Sequence, residues 1–300
     1  KEITTILHNK DSAEVSNVYF NNKLMEKYKT KYGKRNGLFT AYHPNGKVKQ
    51  TCYYVMGILN GENKLYDIFG NLKRTCKYVD GDIDGEDTYF DENGFKEVST
   101  SYKNGEVHGK KTWYFENNKP YIDKFYKDNV LDSVINYYSE DGTLGLQMYY
   151  EDEYFFAYSY PESNGKLKAP IPVTNETVKL VSYYPNGKKS REMNFVNGYL
   201  EDDRVAYYMN GNKYLESKFI GDAKVGVEKE YFSNGKVMID NELLYGDIHG
   251  YFKKYYDTGV LKQQCSYIND EKYGTEIFYD KTGKVIKTVF NINGDSFEKN

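Results

Sequence analysis

Along this chain apolar and polar residues alternate in short runs, and the runs stop at glycine-containing turns. The stretch FTAYHPNGKVKQTCYY, Phe39 to Tyr54, shows the unit: two strand-like runs on either side of Pro-Asn-Gly. Alternation with a period of two marks a strand, and a Gly-containing turn between two such runs marks a hairpin. The same tile returns in VSYYPNGKKSREMNFVNG, EYFSNGKV and KYYDTGVLKQQCSY.

The tiles keep register. Gly33, Gly57, Gly81 and Gly105 are spaced by 24 residues, each opening a G-x-x-x-G unit, and Asn129 and Glu153 continue the series. An aromatic column follows: Tyr42, Tyr66, Phe90, Tyr114 and Tyr138, then, after a gap of 45, Tyr183, Tyr207, Tyr231, Tyr255 and Tyr279. Four residues beyond each comes a turn glycine, from Gly46 to Gly283, with Asn118 the one replacement. A fixed period of this length is the signature of a repeat architecture. The expected fold is all-β, an elongated antiparallel β-meander of about eleven 24-residue hairpin repeats. Residues 1–32 read as an N-terminal cap or half-repeat, 33–152 as five regular repeats, and 153–175 as a degenerate repeat that loses the glycine frame. Residues 176–294 give five further repeats and 295–300 a tail, all within one continuous repeat domain.

The turn decides the faces. Pro-Asn-Gly suits a three-residue loop, a type I turn followed by a left-handed glycine, which pairs His43 with Lys47 and Tyr42 with Val48. Alternation then places Tyr42, Val48, Cys52 and Tyr54 on one apolar face, with Lys47, Lys49 and Thr51 on a polar one. The next repeat offers Tyr66, Leu72, Cys76 and Tyr78 at the same places.

Composition adds order and removes some partners. Aromatics make up 17% of the chain, with 34 Tyr, a load that a disordered chain does not carry even at a mean hydropathy of -0.81. The 41 basic and 44 acidic residues are intermixed, so no global attraction for nucleic acid or an anionic membrane is expected. No apolar run reaches the roughly 18 residues of a transmembrane helix. The opening Lys1-Glu2-Ile3 is read as following a trimmed segment, with an extracytoplasmic location favoured over a cytoplasmic one.

Candidate chemistry is sparse. Cys52, Cys76 and Cys265 share a repeat position; strands two apart lie about 9.6 Å from each other, beyond the roughly 7 Å reach of a disulfide, so they read as small packed residues. His108 and His249 share another position far apart along the array, and with His8 and His43 they suggest no metal site or triad. Asp80/Asp82, Asp91/Glu92 and Asp202/Asp203 are read as falling in connections or turns, where aspartate bonds the backbone. No phosphate-binding, dinucleotide or zinc-protease motif occurs, and no carboxylate pair breaks the repeat as a glycosidase cleft would require. The reading is a non-enzyme without cofactor or metal. The irregular segment is the candidate partner-binding site: Tyr154, Phe155, Phe156, Tyr158 and Tyr160 cluster before a stiff Ala-Pro-Ile-Pro.

The segments NGLFTAYHPNGKVKQTCYY, DGEDTYFDENGFKEVSTSYKNG, YYPNGKKSREMNFVNG and GYFKKYYDTGVLKQQCSY resemble the bacterial variant of the MORN repeat, as found in YwqK-type antitoxin proteins. The resemblance runs from about residue 33 to 294. It implies a binding scaffold with no catalytic residue to carry over. The partner it implies is a protein, either a toxin or a cell-surface or envelope component. The first reading is a bacterial, extracytoplasmic scaffold, and the alternative is an immunity protein that neutralises a cognate polymorphic toxin.

Overall fold

The computed structural model describes residues 2–8, 13–292 and 294–298, which form strands, turns and bends without a helix. The chain divides into two units, residues 1–132 and 133–300. In each, strands adjacent in sequence pair antiparallel, so the expected all-β meander is the fold. Residues 1 and 9–12 of the proposed cap, and 299–300 of the proposed tail, lie outside the described residues.

The hairpin of Gly37–Tyr42 and Val48–Val55 shows how each tile is built. Its strands pair Phe39 with Cys52, Thr40 with Thr51 and Ala41 with Gln50, then slip so that Tyr42 faces Val48. The His43 N–H donates to the Lys47 carbonyl at 2.8 Å, and the Gly46 N–H to the His43 carbonyl at 2.8 Å. This is the three-residue turn expected from Pro-Asn-Gly, with Gly46 at φ +86°.

The slip corrects the face assignment. Between Gln50 and Val48 the second strand carries one extra residue, a bulge that simple alternation does not count. Tyr42 therefore shares its face with Thr40 and Thr51, while Phe39, Ala41, Gln50, Cys52 and Tyr54 line the other. Side-chain bonds confirm the parity elsewhere. In the first unit the Tyr114 hydroxyl lies 2.9 Å from the Ser99 hydroxyl, and in the second Gln264 donates to the Tyr279 hydroxyl at 2.8 Å. Ser99 and Gln264 both alternate with the Cys52-type column, so the tyrosine column cannot lie beside it. The same slip recurs at Leu65/Tyr66, Trp113/Tyr114, Ala206/Tyr207 and Phe278/Tyr279.

The P-N-G-K sequence has a second task. Asn45 accepts the Lys47 N–H at 3.0 Å and donates its own amide to the Ile68 carbonyl of the following turn at 2.8 Å. The Lys47 ammonium reaches the Phe69 carbonyl there at 2.7 Å. In the second unit Asn186 and Lys188 bond Met209 and Asn210 in the same way, and Asn234 and Lys236 bond Asp257 and Thr258. Each of these three turns is thus stapled to the next. Gly46→Val is expected to cost about 1–3 kcal/mol through its left-handed backbone, since nothing lies within 4 Å of an added Cβ. Lys47→Ala should cost only about 0.5–1.5 kcal/mol, the loss of one hydrogen bond. Urea titration of the two variants checks the order, and equal losses would contradict the turn.

The other connection is a two-residue turn. Met56 and Gly57 sit at φ 50° and 90°, and Asn197 and Gly198 at 51° and 84°, the type I′ pattern that follows the right-handed strand twist.

The buried face mixes apolar and polar rows. Cys52, Cys76, Met148, Leu180, Met193 and Val289 are all nearly inaccessible. Cys52, Cys76 and Cys265 are all buried. Among them run polar links: Gln50 donates to Asn63 at 2.9 Å, Arg74 grips Asp87 through two bonds of 2.8 Å, and Gln263 donates to Glu276 at 2.6 Å. All three residue pairs are 13 apart, joining one hairpin to the next.

Candidate interaction surface

Within the second unit the regular tiling fails once, and prolines explain where. Leu144–Glu151, Tyr154–Ser159 and Ile171–Pro172 pair in order, after which Val178–Tyr183 opens a separate eleven-stranded sheet. Pro170 and Pro172 have no N–H to offer a further ladder, and Val173 closes the segment by donating to the Phe156 carbonyl at 2.8 Å.

Packing bridges the failure. The Ser190 hydroxyl donates to the Gly145 carbonyl at 2.8 Å and lies 2.7 Å from the Ser182 hydroxyl. A Cβ on Gly145 would stand 2.7 Å from a ring carbon of buried Tyr184, so the glycine permits the close approach. Phe155, 1% exposed, stacks on Tyr150 at 5.4 Å and meets Phe195 at 5.0 Å. Its N–H donates to the Glu176 carboxylate at 3.0 Å. Arg191, also buried, lies over the Tyr137 ring at 4.2 Å.

The five aromatic residues singled out in the sequence therefore do not form one cluster. Phe155 and Tyr158 are buried, and burial pushes the Tyr158 phenol up, reinforced by the nearby Tyr160 and Tyr183. Tyr160 packs on Tyr183 at 5.5 Å, with the Lys168 ammonium 4.9 Å from its ring. Tyr154 and Phe156 point outward at 45% and 39% exposure, Phe156 beside Tyr149 at 6.2 Å. The segment is anchored by Phe155 and Tyr158 and leaves Tyr154 and Phe156 facing solvent.

One regular element here escapes a search for a period of 24. Glu162 donates its N–H to the Lys166 carbonyl and Gly165 to the Glu162 carbonyl, the bonds of the His43–Lys47 turn. Gly165 lies 23 residues after Gly142 and 22 before Gly187, so the deletion is shared between two sides and hides the turn.

Three histidines serve connections, whereas Asp202 and Asp203, expected in a turn or connection, lie within the strand Tyr199–Tyr207. His108 lies 2.9 Å from Asp128 and His249 lies 3.0 Å from Asn269, both linking successive turns, while His43 meets the Tyr66 carbonyl at 2.9 Å. His8 lies in the strand Glu2–His8. Among the described residues no three His, Cys, Asp or Glu gather as metal ligands. Among the described residues no helix is long and apolar enough to cross a membrane.

On the tyrosine face of the second unit, two identical constellations stand one repeat apart. Tyr207 donates to Glu192 at 2.5 Å and Lys189 pairs with the same carboxylate; Tyr231 donates to Glu216, which Lys213 pairs. Burial and the accepting carboxylates push both phenols well above the usual tyrosine range, and Tyr251, bonded to Asp240, is pushed up to about 12. A raised folded-state value favours the neutral phenol, so this stabilisation is complete below pH about 10 and is lost as pH rises through the folded values. Stability should therefore fall between about pH 10 and 12, and Tyr207→Phe/Tyr231→Phe should flatten that fall. Thermal melts across this range check it.

Five segments, residues 35–56, 107–128, 177–197, 224–240 and 248–269, match the MORN repeat variant. No curated protein matches the sequence. Solved structures similar to the chain include TcdB2-TccC3 with Cdc42 and TcdB2-TccC3 without its hypervariable C-terminal region, each at 12% identity over 93% of this chain, with TM-scores of 0.17 and 0.19. A Tc holotoxin pore from Photorhabdus luminescens is similar at 11% identity over 94%, with a TM-score of 0.17. The chain spans 17% of the first two and 22% of the third, and likeness at this level bears on nothing further. The five matched segments recur in both units; the chain is a MORN-repeat protein, made from the variant form of the repeat.

Proposed function

We propose that this protein is a non-enzymatic scaffold that binds a protein partner, with Tyr154 and Phe156 at the contact. MORN repeats are interaction repeats of a non-catalytic type. The observation that carries the finer reading is the split among neighbouring aromatics: Phe155 and Tyr158 are buried while Tyr154 and Phe156 are exposed. Side chains on a backbone fixed in this way lose little further freedom on binding, and exposed aromatic anchors on a rigid support are what interface centres use. The partner is a toxin or an envelope component. The first makes the protein an immunity factor, the second an extracytoplasmic scaffold in a bacterium.

Affinity capture with the purified chain tests this. The expected result is specific retention of a protein that Tyr154→Ser/Phe156→Ser no longer retains. A single toxin as the retained protein supports immunity, and surface components support the scaffold. Retention of no protein would overturn the proposal.

A further inference from the structure

Charge is intermixed along the chain as a whole but not in the first repeats. Residues 23–77 contain twelve Lys or Arg and three Asp or Glu, and residues 78–92 then contain seven acids and no base. The fold sorts the basic block by face. Both arginines are engaged by neighbours: Arg74 is bound twice by Asp87 with its guanidinium 5.0 Å from the Tyr89 ring centre, and Arg35, 39% exposed on its side chain, lies over Tyr28, Phe39 and Tyr54 at 4.6 to 5.5 Å. The lysines stand largely on the opposite face. A cross-strand row there reads Lys27, Thr40, Thr51, Lys64, Thr75. Lys29 and Lys77 flank it by alternation, Lys29 beside the exposed cross-strand pair Leu38 and Tyr53, and Lys77 opposite Glu62, which pairs with Lys64 at 2.9 Å. Lys27, Lys29 and Lys77 are exposed and form no ion pair among the described residues.

We propose that this lysine and threonine face of the first unit, centred on Lys27, Lys29, Lys77, Leu38 and Tyr53, binds an extended acidic polypeptide segment of the protein partner. The inference rests on the scaffold reading above and names the partner's chemistry. Charge complementarity is the first argument. Geometry is the second: Lys27 and Lys29 are two residues apart on one strand, about 6.8 Å, which is the spacing of alternate side chains in an extended peptide. A peptide with a carboxylate at every second position can meet both, and its other side chains can cover Leu38 and Tyr53.

A nucleic acid fits less well. Its charge is uniform, and on this face it would meet Glu62 and Glu86, whereas a peptide can place apolar residues there. Leu38 offers no stacking surface to a base, and the arginines that would fork a phosphate are already occupied.

The test is fluorescence anisotropy on the full chain with a labelled peptide of about 12 alternating Glu and Val residues, alongside an oligothymidylate of equal length and phosphatidylserine vesicles. The peptide is expected to bind best, with affinity falling about tenfold or more between low and high salt. Lys27→Gln/Lys29→Gln/Lys77→Gln should weaken it about tenfold, while Lys218→Gln/Lys253→Gln in the second unit should leave it unchanged. Absence of peptide binding, equal binding by the triple variant, or tighter binding of the oligonucleotide or vesicles would overturn the inference. Should a protein captured through Tyr154 and Phe156 bind the triple variant as tightly as the wild type, the scaffold reading stands and the lysine face falls alone.

Discussion

Phe155→Ala is expected to lower stability by about 3–5 kcal/mol, whereas Phe156→Ala should cost under about 1 kcal/mol. The two residues are neighbours of one type, so only their surroundings differ. Phe155 is 1% exposed between Tyr150 and Phe195, rings that belong to strands on either side of the failed tile. Its removal leaves a void between the Tyr150 and Phe195 rings. Phe156 is 39% exposed and loses only a tilted contact with Tyr149. Urea titration of both variants measures the difference. Equal losses would mean that the outward placement of Phe156, and with it the contact surface, is wrong.

Asp87→Ala should be as damaging, again about 3–5 kcal/mol, because it strands a partly buried guanidinium. Asp87 is 3% exposed on its side chain and Arg74 21%, and both of their bonds are 2.8 Å. Replacing both partners by apolar residues of similar volume, Arg74→Met/Asp87→Leu, should recover most of the loss, since the cost lies in the unpaired charge and not in a missing attraction. A double variant as unstable as the single one would show that the pair itself holds these hairpins together.

Much of this architecture was legible because its signals are local. Pro-Asn-Gly fixes its own turn through backbone preference and the Asn45 side chain, so the pairing of Tyr42 with Val48 could be read directly. The bulge beside it could not, because Lys49 differs in no way from an ordinary strand residue, and one uncounted residue moved the whole tyrosine column to the other face. Long-range partners were equally hidden: nothing in the chain announces that Arg74 meets Asp87 or that Ser190 meets Gly145, 45 residues away. The candidate site was half legible. Five aromatics in seven positions drew attention to the segment, but which of them are buried depends on distant partners such as Phe195 against Phe155, which no local pattern encodes. Similarly, the turn at Gly165 was concealed by a deletion split across both its sides.

The proposed function turns on Tyr154 and Phe156, held outward beside the buried Phe155, meeting a protein. Isothermal titration of the captured partner into wild-type protein and into Tyr154→Ser/Phe156→Ser, with melts run in parallel, tests it most directly. The predicted result is a loss of affinity of about tenfold or more, roughly 1.4 kcal/mol, at an unchanged melting temperature. Unchanged affinity in a variant that melts like the wild type would contradict it.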